Sequence, residues 1–321
     1  MSMLGARTLH QIERRCSDIF PHIQEPFGGL IVLMFGNFKQ LQPVKDTALF
    51  MNKFNNSMST NGNLVFHSFQ LFVELSISHR QNQDSCFSQL LDHLADGNIS
   101  DHEFNCLMQR KHTNLHSDEK IQFDNSIHLL PTNEMVLNVN TTCLRNLHKP
   151  VVSMKAIDKP LLSSNNEDNS GLADTLFLTI GCRVMLIDNP WVEGGLVNGS
   201  LGNIVAILYE DNVQPPNLPT YILVKFDTYD GPYVTNKLFP VTPIVRTWEK
   251  LGRKITRRQF PLKLAYAITI HKSQGLTLPS AVIDIGNKDF SSGLTYVALS
   301  RVRRLRVRHI HSVDNARLRS N

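Results

Sequence analysis

The sequence predicts an α/β protein with a parallel sheet that is interrupted by a β-rich segment. A continuously apolar run between glycines, Leu30–Phe35, is typical of a strand buried on both faces of such a sheet. Similar runs alternate with apolar residues at helical spacing in the first half of the chain and again near its end. From Leu176 to Ile270, short strands and turn signals replace the helical pattern.

The composition is that of a globular protein with room for two domains. The chain has 321 residues, of which 41% are hydrophobic and 19% charged, proportions that exclude a disordered or fibrous class. Its net charge of +5 permits a polyanionic partner without requiring one. Five scattered cysteines argue against a disulfide framework or a zinc site. Because the sequence shows neither a signal-peptide pattern nor an apolar run of membrane-spanning length, we expect an intracellular protein with no membrane partner.

The first predicted element is a helix from about residue 4 to residue 19, where apolar residues recur at helical spacing until Pro21. The strand Leu30–Phe35 follows, and Phe72–Ile77 is predicted to be the next strand. Between them, Asn52–Asn63 contains five asparagines and a glycine and is predicted to be a loop.

Further helices are predicted over residues 84–95 and 101–109, and Ser100 with Glu103 three places on should cap the second. The remaining elements before the β-rich segment are a strand at Ile127–Leu130, a helix from Asn133 to about Leu147 and a polar linker over residues 163–171.

The β-rich segment carries a hairpin signal at Asn198-Gly199. Its predicted strands are Ile204–Tyr209, Tyr221–Phe226, Leu238–Val245 and Leu262–Ile270. The α/β pattern then resumes with strands at Ala281–Ile285 and Arg308–Ile310 on either side of a helix over Gly293–Arg304.

A loop rich in hydrogen-bond donors, Thr269–Gly275, follows the last apolar strand of the β-rich segment. Its hydroxyl, imidazole, ammonium and amide groups form the kind of mixture that contacts a phosphodiester backbone without reading bases. The glycine lets the backbone approach a phosphate closely. The candidate DNA-binding residues are Thr269, His271, Lys272, Ser273, Gln274 and Gly275. A polar connection between two strands remains the alternative.

Several short segments, in order, resemble motifs of the PIF-type DNA helicases, the PIF/RecD-like branch of superfamily one. Thr269–Gly275 resembles motif V, and Tyr296–Arg301, with its Ala-Leu-Ser-Arg ending, resembles motif VI. The weaker matches are Ser2–Leu4 to the residues after motif II, Gly36–Val44 to motif III, Ser78–Gln81 to motif IV and Leu196–Gly202 to the turn before the family's inserted 2B barrel.

The resemblance implies RecA-like, parallel-sheet motor domains with an inserted small β-barrel. Residues 1–77 would be an incomplete first motor domain. Residues 78–321 would be the second, interrupted by the barrel over about residues 196–262. The family's Walker A loop and the Asp-Glu of motif II have no match in the chain, so we expect the C-terminal part of a helicase, without the ligands for Mg²⁺.

The resemblance also assigns roles. Gln40 would bond the γ-phosphate of ATP and the attacking water, and Arg80 and Arg301 would neutralise charge on the transferring phosphoryl group. The intact enzyme would use ATP and Mg²⁺ and act 5′→3′ on single-stranded DNA and duplex junctions. The family works in DNA repair, recombination and telomere maintenance, in the nucleus or in mitochondria, or inside mobile elements.

Alternatives remain open from the residues alone. Gln40 is also compatible with an ordinary loop glutamine, and Arg80 and Arg301 with surface arginines. Two other classes of function remain as well. One is a degenerate helicase remnant that holds single-stranded nucleic acid without ATP turnover, and the other is a protein-interaction domain built on the barrel.

Overall fold

The computed structural model describes residues 2–54, 56–75, 77–160, 171–232, 237–250, 252–285, 293–305 and 308–312. The chain forms two compact units, Met1–Pro131 with Thr269–Asn321, and Thr132–Ile268. The first unit contains a parallel sheet and the second contains antiparallel sheets, which confirms the predicted α/β class with a β-rich interruption. The expected boundary between residues 77 and 78 lies inside the first unit, and the β-rich unit begins well before residue 196.

Eight α-helices are described: α1 Ala6–Ile19, α2 Ser57–His67, α3 Ser85–Ala95, α4 Asp101–Gln109, α5 Ser117–Ile121, α6 Asn133–Asn146, α7 Ile270–Ser273 and α8 Leu294–Leu299. Helix α4 has the predicted capping box, because the Ser100 side chain accepts from the Glu103 backbone and the Glu103 carboxylate accepts from Ser100. Helix α8 is shorter than predicted and ends at Leu299.

The strands in chain order are β1 Ile127–Leu130, β2 Val152–Lys155, β3 Ile157–Lys159, β4 Thr175–Leu178, β5 Arg183–Leu186, β6 Leu201–Leu208, β7 Tyr221–Phe226, β8 Leu238–Val241, β9 Ile244–Lys250, β10 Arg253–Gln259, β11 Leu262–Leu264, β12 Ala267–Thr269, β13 Ala281–Asp284 and β14 Arg308–Ser312. The linker predicted over residues 163–171 lies almost wholly outside the described residues.

The parallel sheet has the strand order β12-β1-β13-β14, with β13 parallel to both β1 and β14. The centre of the sheet is shielded from solvent, since Leu129 of β1 and Ile283 of β13 are both fully buried. The strand β12 ends at Thr269, and α7 begins at the next residue, Ile270. The fold therefore places the donor-rich loop directly after a strand of this sheet.

The N-terminus of α1 is capped by a carboxylate from a distant loop. Asp46 accepts hydrogen bonds from the backbone nitrogens of Arg7 (3.1 Å) and Thr8 (3.0 Å) and from the Thr8 hydroxyl (2.8 Å). Burial alone would raise the pKa of Asp46, but these hydrogen bonds and one from Thr47 hold it below its usual value. The capping ties the Asp46 loop to the start of the chain.

The prediction of a loop over Asn52–Asn63 is wrong, because α2 occupies most of this segment. Asn56 is the cap of α2, and its side chain accepts from the Ser59 nitrogen at 2.8 Å. Gly62 lies where α2 crosses α1, and a Cβ there would come within 1.7 Å of the Ala6 carbonyl oxygen. The asparagine and the glycine, which suggest a loop in sequence, are a cap and a close helix crossing in the structure.

The strands predicted at Leu30–Phe35 and Phe72–Ile77 are not formed in the described structure. The first segment is extended and packs one face, Val32 and Met34, against the cluster that includes Ala6 and Leu9. A strand needs a neighbour to pair with, and the described sheet begins only at β1. The predicted burial on both faces is therefore wrong for this segment, because Ile31, Leu33 and Phe35 are exposed and no described strand pairs with them.

The second unit is built from antiparallel sheets, with the orders β11-β5-β6-β7-β8, β3-β10-β9 and β2-β4. Its core includes the fully buried Phe260, Leu186 and Val224. The strand predicted over Leu238–Val245 divides into β8 and β9 at Pro243, since proline cannot donate to a ladder. The strand predicted over Leu262–Ile270 divides into β11 and β12 and then becomes α7.

Candidate nucleotide and nucleic-acid site

The donor-rich loop uses part of its polarity to hold itself together. Thr269 caps α7, and its hydroxyl oxygen accepts from the Lys272 nitrogen at 3.2 Å. The Ser273 hydroxyl donates to the Ile270 carbonyl at 2.7 Å, and Ser273 is fully buried. Ser273 was expected to contact DNA directly, but its side chain faces the interior and bonds to its own helix.

Ser273 is the one buried residue among the six expected DNA-binding residues, and Thr269 and Gln274 are half-buried. Lys272 and Gly275 are exposed, and His271 is half-buried. Gly275 has a φ of +87°, and a Cβ at this position would meet nothing within 4 Å. The glycine therefore serves the left-handed backbone rather than relieving a steric contact.

Gln274 contacts Gln40. Its Nε2 donates to Gln40 Oε1 at 2.8 Å and lies 3.2 Å from the Ser2 hydroxyl. Its Oε1 is buried and has no hydrogen-bond partner among the described residues. One amide thus joins a candidate DNA-binding loop to a candidate nucleotide-binding side chain.

The Gln40 loop packs against the start of α8. The Lys39 nitrogen donates to the Asn37 side chain at 2.8 Å, and the Gln40 nitrogen donates to the Asn37 carbonyl at 3.1 Å. Gly293, which precedes α8, has a φ of +80°, and a Cβ there would lie 3.0 Å from the Lys39 carbonyl oxygen and 3.1 Å from that of Gln40. Only glycine satisfies both the backbone angle and this close approach.

Lys39 links the same loop to α3. Its Nζ lies 3.0 Å from Asp96 Oδ1 and 3.6 Å from Asp92 Oδ1. Burial alone would lower the pKa of Lys39, but the two carboxylates raise it above its ordinary value. Nothing in the sequence signals this pairing, because the aspartates lie more than fifty residues away on a helix surface.

Arg301 is 1% exposed and is held almost entirely by neutral oxygens. Its Nε donates to the Val297 carbonyl at 2.8 Å, and its Nη2 donates to the Ser300 hydroxyl at 2.7 Å. Its Nη1 makes longer contacts, both 3.4 Å, with the carbonyls of Ser273 and Leu276. The guanidinium therefore fastens α8 to α7 and to the turn that follows it.

Arg80 meets Arg301 at Ser300. The Nη1 of Arg80 donates to the Ser300 carbonyl at 3.1 Å, and the neighbouring Gln81 donates to the Val302 carbonyl at 3.1 Å. Burial, with a smaller contribution from the charge of Arg80, lowers the pKa of Arg301 to about 10. Burial also lowers the pKa of Arg80.

Within the part of the chain that the structure describes, no carboxylate pairs with Arg80 or Arg301. Two neighbouring guanidinium groups in a desolvated place are costly unless an anion compensates them. Planar, charged donors of this kind suit the oxygens of a phosphate group. The arrangement fits a bound phosphate.

The described residues contain no group of three or more His, Cys, Asp or Glu side chains that could hold a metal ion. In the same residues, no helix combines the length and the apolar character needed to cross a membrane.

The sequence analysis names Gln40, Arg80 and Arg301 as candidates, but it does not name Ser2, Lys39 or Gly293, which contact Gln274, the α3 aspartates and the Gln40 loop in the structure. The sequence gives a weak indication of two of these residues. Ser2 belongs to the segment that resembles the residues after motif II, and Gly293 is the first residue of a predicted helix.

Solved structures place this fold among the DNA helicases. The crystal structure of the Pif1 helicase from Candida albicans matches all of this chain and 73% of that one, with a TM-score of 0.79 and 27% identity. A Bacteroides Pif1 helicase in complex with ADP-AlF3 and single-stranded DNA matches 99% of this chain and 70% of that one, with a TM-score of 0.65 and 25% identity.

The sequence comparisons agree with the fold. The model of the PIF1-like helicases matches residues 1–105. The ATP-dependent DNA helicase PIF1 of Mus musculus is 32% identical over 296 residues, which are 88% of this chain and 40% of that protein. That of Danio rerio is 30% identical over 332 residues, with all of this chain and 46% of that protein covered. The chain belongs to the PIF1-like helicase family, and it spans less than half the length of these two relatives.

Proposed function

We propose that the chain senses the γ-phosphate of ATP and contacts single-stranded DNA within an ATP-dependent 5′→3′ DNA helicase. The observation that carries the proposal is the meeting of Arg80 and Arg301 at Ser300 without a described carboxylate. Two relatives are named as ATP-dependent DNA helicases, and a structural neighbour holds ADP-AlF3 with single-stranded DNA. These names support the same assignment.

In this proposal, Arg80 and Arg301 bind the phosphate at which charge develops during transfer. A positioned arginine of this kind contributes roughly 10³–10⁵ to the rate of phosphoryl transfer. The side chain of Gln40 orients the attacking water and a γ-phosphate oxygen. Mg²⁺ would neutralise charge on the phosphates when bound, but the described residues of this chain do not provide its ligands.

In this proposal, two contacts transmit the change between the ATP-bound and ADP-bound states to the loop that binds DNA. Gln274 joins Gln40 to the Thr269–Gly275 loop, and Arg301 holds the carbonyls of Ser273 and Leu276. When a γ-phosphate draws Gln40 or Arg301 toward itself, both connections pull on the same short segment. A loop with two anchors of this kind can hold different positions in different nucleotide states.

The DNA-contacting groups are Lys272, His271 and the backbone at Gly275. Lys272 supplies charge to the phosphodiester backbone, and Gly275 gives the strand access to main-chain groups. Thr269, Ser273 and Gln274 shape the loop and connect it to Gln40 and Arg301. This division refines the expectation that all six residues contact DNA.

Turnover requires the remainder of a longer helicase, since the chain matches less than half of the vertebrate relatives. By family, the substrates are single strands and duplex junctions, and the processes are DNA repair, recombination and telomere maintenance in the nucleus or in mitochondria.

A fusion protein tests the proposal directly. Residues 1–321 replace the matched region of the Xenopus laevis PIF1 helicase, to which the chain is 32% identical over 305 residues. We expect DNA-stimulated ATP hydrolysis that falls by roughly 10³ in Arg80→Ala. Arg253→Ala, at an exposed position on β10, is the matched control and should retain full activity. Hydrolysis that survives Arg80→Ala would remove the proposed phosphate site. A fusion that binds DNA but never hydrolyses ATP would favour the strand-holding remnant.

A further inference from the structure

The second unit contains an open cavity of about 300 Å³ that the proposed function does not use. One wall is the loop between β6 and β7, over residues 210–220, and the other wall is formed by Ile157 of β3 and Arg258 of β10. All of the lining residues belong to the Thr132–Ile268 unit, so the cavity lies within one compact unit. Its volume is at the lower end of the range for small-molecule sites.

Backbone hydrogen bonds hold the loop wall in place. The Val213 nitrogen donates to the Glu210 carbonyl at 3.1 Å and closes a turn at the start of the loop. The Lys155 nitrogen donates to the Pro216 carbonyl at 2.8 Å, which ties the middle of the loop to the end of β2. The cavity is therefore bounded by a loop that is anchored to the neighbouring strand.

Two consecutive arginines of β10 have different surroundings. Arg257 is buried, and its Nε and Nη2 each lie 2.7 Å from a different carboxylate oxygen of Asp158. Arg258 is exposed and lies opposite Ile157 of β3, on the other face of the sheet. The first arginine stabilises the sheet, whereas the second lines the cavity.

The cavity carries two opposite charges that do not pair with each other. Within the described part of the chain, neither Glu210 nor Arg258 forms an ion pair or a side-chain hydrogen bond. Asn217 and Thr220 line the same cavity and add an amide and a hydroxyl, which can both donate and accept. The polar groups of the cavity are therefore available to a ligand.

This charge pattern disfavours nucleic acid as the occupant. A polyanion that approached Arg258 would also meet the carboxylate of Glu210. Among the described residues, no aromatic side chain lines the cavity, so a base would have no ring on which to stack. A ligand with one charge of each sign fits the two side chains better.

We propose that the cavity binds a small zwitterion, with its ammonium group at Glu210, its carboxylate at Arg258 and an aliphatic body against Ile157 and Leu218. A guanidinium group suits a carboxylate because it can donate two parallel hydrogen bonds. A free aliphatic amino acid and a short peptide both have this chemistry.

The test titrates this chain with L-leucine and follows the methyl resonances of Ile157 and Leu218 by NMR. Both should shift saturably, with a dissociation constant on the order of 1 mM for so small a ligand. Glycyl-L-leucine distinguishes the sources of the zwitterion. Tighter binding of the dipeptide would identify a peptide, and tighter binding of L-leucine would identify a free amino acid.

Two analogues of L-leucine, each lacking one charge, assign the charges to side chains. L-leucinamide lacks the carboxylate and 4-methylpentanoate lacks the ammonium group, so each should bind at least about tenfold more weakly than L-leucine. Arg258→Gln should weaken L-leucine by a similar factor but change the affinity for L-leucinamide by less than about twofold. Glu210→Gln should weaken L-leucine and spare 4-methylpentanoate in the same way.

Each variant has a matched control. Arg253→Gln and Asp211→Asn change exposed residues that do not line the cavity, and both should bind L-leucine as the unmodified chain does. Glu210 and Arg258 are also exposed, so circular dichroism should show that their variants keep the fold.

Three results would overturn the proposal. They are the absence of saturable binding of both L-leucine and glycyl-L-leucine up to about 10 mM, equal affinities for L-leucine and its two analogues, and equal binding of L-leucine by Arg258→Gln and Arg253→Gln. The cavity shares no residue with the site of Arg80, Arg301 and Lys272, so such a result leaves the proposed function unaffected.

Discussion

The side-chain nitrogen of Gln274 lies 2.8 Å from the side-chain oxygen of Gln40, so one hydrogen bond joins the loop proposed to sense the nucleotide to the loop proposed to contact DNA. The two residues are 234 positions apart in sequence. The opposite end of the Gln274 amide, Oε1, is buried without a described partner, so the amide has an unmet acceptor beside Gln40. The pair links two loops that ATP and DNA would bind separately.

We first predict that Gln274→Ala leaves the affinity of this chain for single-stranded DNA within about twofold of the unmodified chain, because Gln274 faces Gln40 and not the strand. Fluorescence anisotropy with a labelled oligothymidine at fixed salt measures this. A loss as large as that of Lys272→Ala would mean that Gln274 contacts DNA itself.

Lys272→Ala should weaken binding to all single-stranded sequences about equally, because a lysine contacts the phosphate backbone and does not read bases. The slope of log affinity against log salt should become shallower by about 0.7, the contribution of one phosphate on a single strand. Lys254→Ala, on the exposed part of β10, is the control. An unchanged slope in Lys272→Ala would show that this lysine neutralises no phosphate.

Tripolyphosphate should stabilise this chain through Arg80 and Arg301. An anion at ten times its dissociation constant adds about 1.4 kcal/mol to the free energy of unfolding, which raises the melting temperature by about 2 °C for a chain of this length. Arg80→Gln should lose this increment, and Arg253→Gln should keep it. Arg80 is the better position to change, because Arg301 also holds the carbonyls of Ser273 and Leu276. An equal increment in both variants would place the anion elsewhere.

Asp46→Ala should lower the free energy of unfolding by about 1 kcal/mol at neutral pH, because it removes the cap of α1. The pKa of Asp46 is lower in the folded chain than its usual value of 3.8, so the unfolded chain binds the proton more tightly. The stabilisation is therefore complete above pH 3.8 and is lost as the pH falls through the lower, folded value. Urea unfolding of both proteins across this range should show the difference shrinking in acid, and a difference independent of pH would contradict the cap.

Elements with local signals were predicted well. Ser100 and Glu103 lie three residues apart and cap α4 as predicted, and the antiparallel strand Tyr221–Phe226 has the predicted bounds. Such elements depend on neighbours in sequence, which the sequence displays.

Elements that depend on distant neighbours were not predictable. Leu30–Phe35 has the pattern of a buried strand, but the pattern does not show whether pairing strands are present. A glycine in a polar segment is typical of a loop, and Gly62 was interpreted in this way. Its actual role, the close approach of α2 to Ala6 of α1, depends on a contact between two helices that the sequence does not show.

The same reason limits the prediction of the site. A count of donors in Thr269–Gly275 could not show that Ser273 faces inward or that Gln274 contacts Gln40. The convergence of Arg80 and Arg301 on Ser300 likewise needs the folded chain, although the motifs pointed to both arginines.

The most direct test of the central claim is the affinity of the fusion protein for single-stranded DNA, measured with and without ADP–aluminium fluoride. If Gln40 and Gln274 couple the two sites, the nucleotide analogue should change the affinity of the unmodified fusion, and Gln274→Ala should reduce that change while leaving the nucleotide-free affinity intact. An equal nucleotide-dependent change in the fusion and in its Gln274→Ala variant would contradict the account.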